Sequence, residues 1–168
     1  MASAKDRLWA RARQEPDLKV VGQCSSSAEA LALLEGSVDM ELLDVDLGEE
    51  RALSFVEAAR KQNCEGRILV VTAGIGGAEA VRQIQAGVAG IVHKRHSGKA
   101  ICETIRKVVA GEPYLEEKYL PSLMRSVDDA LRRPIPALYD SPADRARGGG
   151  VRYGYSIFLT LIVHVRST

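Results

Sequence analysis

The sequence predicts an α/β fold, a parallel sheet covered by helices. Three observations carry this. Short apolar runs alternate four times with segments of helical spacing, an order that calls for right-handed strand–helix–strand crossovers. Residues 67–73 are apolar on both faces, as a strand enclosed between two helix layers must be. Three of the runs end, or nearly end, in a polar residue, Asp44, Thr72 and Lys94. In an open parallel sheet such ends share the edge where ligands bind.

Residues 5–15 have the character of a helix, with Leu8, Trp9 and Ala12 on one side and Pro16-Asp17 as its stop. Leu18-Lys19-Val20-Val21-Gly22-Gln23-Cys24 follows as a strand rich in β-branched residues. Ser26-Ser27-Ala28-Glu29 has capping-box spacing and opens a helix through Leu31 and Leu34, closed by Gly36. The next strand is 42–46. A helix over 51–62 presents Leu53, Val56 and Ala59 at intervals of three. After the 67–73 strand, 78–86 forms a helix with Val81 and Ile84 inward and Gly87 as its stop. Residues 90–94 form the fourth strand, and Ser97 caps a helix through Ile101, Ile105, Val108 and Val109 that Gly111 ends.

Beyond this core, spanning 1–118, the pattern changes. Residues 119–133 form a linker helix, amphipathic through Leu120, Leu123, Met124, Val127 and Leu131. Residues 134–168 read as an irregular tail: Pro, Arg, Ala and Gly dominate 134–150, and 156–165 is one apolar run of strand composition. The tail is mildly basic, which suits a solvated segment better than a nucleic-acid contact.

Composition narrows the function classes. The 168 residues are 46% hydrophobic and 27% charged with a net charge of +1, so no strong field draws the molecule to nucleic acid or membrane. Cys24, Cys64 and Cys102 are scattered without a C-x-x-C pair, which argues against a disulfide framework or zinc site and suits a reducing cytoplasm. The most apolar run, 157–165, is nine residues long, far short of the roughly 20 needed to span a bilayer.

The candidate site is built around Met40-Glu41-Leu42-Leu43-Asp44-Val45-Asp46-Leu47-Gly48, a short buried strand that ends in acid. A carboxylate at that edge can ligate a hard cation or act as an oxygen nucleophile. Taken alone, Asp44 or Asp46 serves equally well as a cap on the next helix. Thr72 and Lys94 change the balance. They lie 28 and then 22 residues further on, each near one βαβ step of about 30 residues. A carboxylate, a hydroxyl and an ammonium converging on one edge suit phosphoryl chemistry: one attacks, one donates to a phosphoryl oxygen, one neutralises charge.

These residues resemble a family. Leu42-Leu43-Asp44-Val45-Asp46-Leu47, Val70-Val71-Thr72-Ala73, the run from Ala86 to Lys94 and the run from Ile105 to Leu115 together look like the receiver domain of NarL/FixJ-type response regulators. The resemblance implies a flavodoxin-like sheet and a signalling domain, not an enzyme. It implies that Asp44 accepts a phosphoryl group from a sensor histidine kinase, that Thr72 and Lys94 contact the phosphoryl group, and that Asp44 and the carbonyl of Asp46 help hold Mg2+. It further implies transcription regulation in the cytoplasm and allows a homodimer. Phosphorylation then shifts states at the face carrying Thr72 and Ile91.

The chain departs from the family pattern in three ways. Receivers open with a strand ending in paired acids that bind magnesium; this chain opens within the following helix, so the first strand and acid pair are missing. Ile91 stands where the family often has an aromatic switch residue. No helix-turn-helix periodicity follows Pro134, so DNA binding is not supported. Because a lost central strand leaves two unpaired edges, residues 157–163 are expected to replace it. His164-Val165-Arg166 would then lie where the acid pair belongs. An unplaced, aggregation-prone end is the competing expectation.

Two other function classes remain open. A degenerate receiver would bind partners without phosphorylation, through its last helix and residues 119–131. A dinucleotide-binding enzyme is suggested by Gly74-Ile75-Gly76-Gly77-Ala78-Glu79, although Glu79 stands where the third glycine belongs and no acid ends the next strand. His93 and His96 lack a third ligand for a metal.

Overall fold

A computed structural model describes residues 4–34, 38–45, 49–133 and 160–165. Helices and strands alternate in the expected order: α1 (Ala4–Gln14), β1 (Leu18–Cys24), α2 (Ser27–Leu34), β2 (Met40–Asp44), α3 (Glu49–Lys61), β3 (Arg67–Thr72), α4 (Gly77–Gln85), β4 (Gly90–His93), α5 (Gly98–Val109), β5 (Tyr114–Leu115), α6 (Leu120–Arg132) and β6 (Thr160–Val165). A 3-10 turn, Glu117–Tyr119, leads into α6.

One six-stranded sheet runs in the order β1-β6-β2-β3-β4-β5. Strands β2, β3, β4 and β5 pair in parallel. The alternation of side chains along each strand divides the core into two layers. Leu43, Val70 and Ile91 face α2, α3 and α4, packing with Ala30, Phe55, Val56 and Ala80. Leu42, Leu69 and Val92 face α1 and α5, packing with Trp9, Ile101 and Ile105. Helices on both faces explain why β3 is apolar without interruption from Ile68 to Val71 and why Met40 to Leu43 of β2 are all buried, Glu41 included.

The second strand from one edge makes the main departure from a simple parallel order. Strand β6, from the far end of the chain, lies between β1 and β2 and is antiparallel to both. Two flanking ladders are thereby completed: Cys24 and Leu43 face Thr160, and Val20 and Met40 face Val163. Residues 157–159 of the expected replacement strand lie outside the described residues, as does Gly36. The direction of β6 corrects one expectation. Thr160, and not His164, reaches the carboxyl edge, while His164 pairs with Lys19 at the opposite edge. The apolar run carries no sign of direction, because strand composition is the same read either way.

Local signals behave as their chemistry requires. Ser26 Oγ accepts from the Glu29 N–H at 3.2 Å, and the Glu29 carboxylate accepts in return from the Ser25 N–H at 3.1 Å. The box therefore closes one residue earlier than Ser26 itself. Ser97 caps α5 by accepting from the Ala100 N–H at 3.2 Å. Gly87 and Gly111 follow α4 and α5 with φ of 104° and 98°, the left-handed geometry that a helix stop of this kind needs and that glycine alone adopts cheaply. The two-residue β5 has no periodic signal and escaped the sequence reading.

Two polar clamps hold the helices to the sheet. Arg106 on α5 bonds Asp17 through Nε at 2.6 Å and also Glu15, tying α5 to the turn between α1 and β1. Arg60 donates to the carbonyls of Cys64 and Gly87 at 2.9 and 2.8 Å. The three cysteines are free and buried, and burial pushes the Cys102 thiol up to about 11.

Candidate functional site

The carboxyl ends of β2, β3 and β4 lie side by side, which brings the expected polar residues to one edge. The Lys94 ammonium approaches Asp44 Oδ1 at 2.7 Å, with the side chains 17% and 19% exposed. That degree of shielding raises the attraction above that of an exposed pair without the full desolvation cost of the interior. The strand ends around the pair are locked. Val45 N–H donates to Val71 at 3.0 Å, and Lys94 N–H donates to the Thr72 carbonyl at 2.8 Å. Each parallel ladder thus continues one step past the last regular residue.

Thr72 joins this edge through the backbone. It is buried, its hydroxyl donates to the Val45 carbonyl at 3.3 Å, and it accepts from the Gly74 N–H at 3.1 Å. The hydroxyl is therefore fixed beside the residue that follows Asp44. Ile91 lies elsewhere: it is fully buried in the layer facing α2 to α4, between Val70 and Leu115 in register. Asp46 lies outside the described residues.

Sequence reasoning missed Glu116. This acid follows β5, and its Oε1 accepts from the His93 N–H at 3.1 Å and meets His96 Nε2 at 3.0 Å. It brackets Lys94 from both sides in sequence. Arg95 and Lys118 approach its other oxygen at 3.5 and 3.4 Å. Burial raises the Glu116 carboxyl, but the His96 hydrogen bond and the Lys118 charge outweigh it and leave it below the usual value. An acid at the carboxyl end of one more strand was the available signal, hidden because β5 is too short to recognise. The two histidines have separate partners. His93 Nδ1 accepts from the Arg95 N–H at 3.0 Å, while His96 turns to Glu116.

Among the described residues the donors do not make up a divalent-cation site. Among the described residues no group of three His, Cys, Asp or Glu side chains could hold a metal ion. Asp44 is the one carboxylate at this edge on the described strands β2, β3 and β4, and it already pairs with Lys94. Thr160 is the β6 residue at that level. Magnesium demands a near-octahedral oxygen set, which one carboxylate does not supply.

An α/β sheet with a carboxylate and an ammonium joined at its ligand-binding edge, and a hydroxyl tied to the adjoining backbone, is the frame of a signalling receiver. The chain belongs to the response regulator receiver domain family, whose model matches residues 5–106. It is 27% identical over 123 residues to the DNA-binding transcriptional activator DevR/DosR of Mycobacterium tuberculosis, covering 73% of this chain and 57% of that protein. It is 28% identical over 122 residues to the transcriptional regulatory protein LiaR of Bacillus subtilis, covering 70% and 58%. The chain thus spans little more than half the length of these relatives. A solved two-component response regulator of the LuxR family from Aurantimonas sp. SI85-9A1 superposes with a TM-score of 0.52 at 22% identity, covering 62% of this chain and 76% of that one. That likeness concerns the fold. The family match accounts for the glycines at 74–77 within a receiver and does not favour a dinucleotide-binding enzyme. No helix among the described residues is long and apolar enough to cross a membrane.

Proposed function

We propose that this chain is the phosphoacceptor of a two-component relay, taking a phosphoryl group on Asp44 from a sensor histidine kinase in the cytoplasm. The observation that carries the reading is the 2.7 Å Asp44–Lys94 pair at the carboxyl edge of the sheet. In the transfer, an Asp44 carboxylate oxygen forms the new P–O bond as the P–N bond of the kinase phosphohistidine breaks, and the freed imidazole takes a proton from solvent. Lys94 keeps its charge and moves from the carboxylate to the phosphoryl oxygens. Thr72 exchanges its bond to the Val45 carbonyl for one to a phosphoryl oxygen. That exchange couples the chemical event to the loop after β3, because Gly74 hangs on the same hydroxyl.

The experiment is labelling by a small phosphodonor with and without magnesium. Wild type is expected to take up label and Asp44→Asn to take up none. Equal labelling of the two removes Asp44 from the role. The scarcity of magnesium donors among the described residues is what speaks for one rival, a receiver that works as an interaction module without phosphorylation. That rival predicts no uptake at any magnesium concentration and no response of the fold to the ion.

A further inference from the structure

The reach of Lys94 to Asp44 depends on the turn that carries the lysine. That turn, residues 93–96, has all four of its amides bonded. The Lys94 N–H donates to the Thr72 carbonyl at 2.8 Å, and the His96 N–H closes the turn on the His93 carbonyl at 3.1 Å. The Arg95 N–H donates to His93 Nδ1 at 3.0 Å. The fourth bond is of a different kind. Successive N–H groups of a sheet strand serve opposite neighbours, so the His93 N–H turns from β3 toward β5. Strand β5 ends at Leu115, which pairs with Ile91, two residues short of His93. The Glu116 carboxylate takes the place of the missing strand carbonyl, at 3.1 Å.

Glu116 gives up a local bond to do this. It stands at the N-cap of the 3-10 turn, where a carboxylate ordinarily accepts from the turn's own N–H groups, yet its side chain makes no such bond. The oxygen that holds the His93 N–H also meets His96 Nε2 at 3.0 Å, so one carboxylate grips the first and last residues of the turn. Its side chain is only 9% exposed, and bonds to an ionised acceptor are about twice as strong as neutral ones. Arg95 and Lys118 lie beside its other oxygen and balance its charge.

The geometry points to Glu116 as a positioning residue: it holds the 93–96 turn so that Lys94 stays aimed at Asp44, and through Lys94 it sets the rate at which Asp44 takes a phosphoryl group. The second half rests on the phosphoacceptor reading, and the first does not. Glu116 acts through the turn and not by contact with the phosphoryl group. Without it, the end of β4 is held on the β3 side alone. A displacement of about 1 Å at a reacting centre costs up to ~100-fold in rate.

The test has two arms, both on the full chain. Trace acetylation with peptide mass mapping reads the reactivity of Lys94 against Lys99 and Lys107, exposed lysines on α5, and needs no phosphorylation. Glu116→Ala should raise Lys94 reactivity several-fold, because an amine released from its ion pair reacts faster. Glu116→Gln keeps the acceptor oxygen and should restore the wild-type value. In the second arm, the rate of Asp44 labelling by a small phosphodonor should fall about tenfold in Glu116→Ala and recover in Glu116→Gln. Arg106→Met loosens the far end of α5 and should leave both readouts at wild-type values. His96→Leu removes one of the two bonds and should move both readouts the same way by less; it serves where circular dichroism shows Glu116→Ala unfolded. Unchanged Lys94 reactivity in Glu116→Ala, a change that Glu116→Gln does not reverse, or an equal change in Arg106→Met overturns the positioning role. Raised reactivity with an unchanged labelling rate overturns the link to phosphoryl transfer. A wild type that takes no label while Lys94 reactivity responds as expected overturns the phosphoacceptor reading and leaves the turn's anchor standing.

Discussion

Strand β6 is the element whose removal should cost most for the least change in side-chain chemistry. Leu161 pairs with Gln23 on one side and Leu42 on the other. Replacing it with proline removes an N–H from the middle of the sheet and leaves a carbonyl on a neighbouring strand unpaired. That loss costs about 1–3 kcal/mol. The ring also displaces the adjoining ladder step, at a further cost of similar size. The combined loss, roughly 3–5 kcal/mol, corresponds to a fall in Tm of about 10 °C for a chain of this length. Thermal unfolding by circular dichroism measures the shift. Amide exchange locates it: residues 22–24 and 40–43 should lose protection while β4 keeps its own. A Tm within about 2 °C of wild type, with exchange in β1 and β2 unchanged, would refute the place given to β6.

Other consequences follow from single contacts. The Arg106 hydrogen bonds hold the Glu15 and Asp17 carboxyls below their ordinary values of 4.5 and 3.8. Their contribution is therefore complete above about pH 4.5 and lost as the pH falls through the lowered values. Arg106→Met should flatten that acid limb in stability-versus-pH curves while leaving its alkaline side alone. Ile91 has no exposed surface, so Ile91→Phe should overpack the layer against α3 and α4 and destabilise by about 1–3 kcal/mol in urea unfolding. Glu116→Ala strips the partner from the His93 N–H, and should cost about 1–3 kcal/mol with faster exchange at residues 93–96.

The legible part of the fold was the part with periodicity. Uninterrupted apolar strands such as Ile68 to Val71, and caps such as Ser97 and Gly111, announce themselves by composition. Adjacency of Asp44, Thr72 and Lys94 followed from spacing, because one crossover per strand leaves little freedom in a parallel sheet. What spacing could not give was the partition of bonds at the edge: Lys94 takes the carboxylate, while Thr72 takes the Val45 backbone. Nor could it reveal Glu116, whose role depends on how a loop after β5 folds back on β4. The direction of β6 was equally hidden, since pairing in either sense buries the same run. Helix α6 was legible as amphipathic, yet only packing shows that its exposed apolar side faces away from α4.

The central claim is that the Asp44 carboxylate is the group that becomes phosphorylated. Its most direct measurement is borohydride trapping after exposure to a phosphodonor, which reduces an acyl phosphate on aspartate to homoserine, followed by peptide mass mapping. The account requires homoserine at position 44, dependent on the donor and abolished by Lys94→Met. Homoserine spread over other aspartates, or absent from position 44 when the protein carries label, would contradict it.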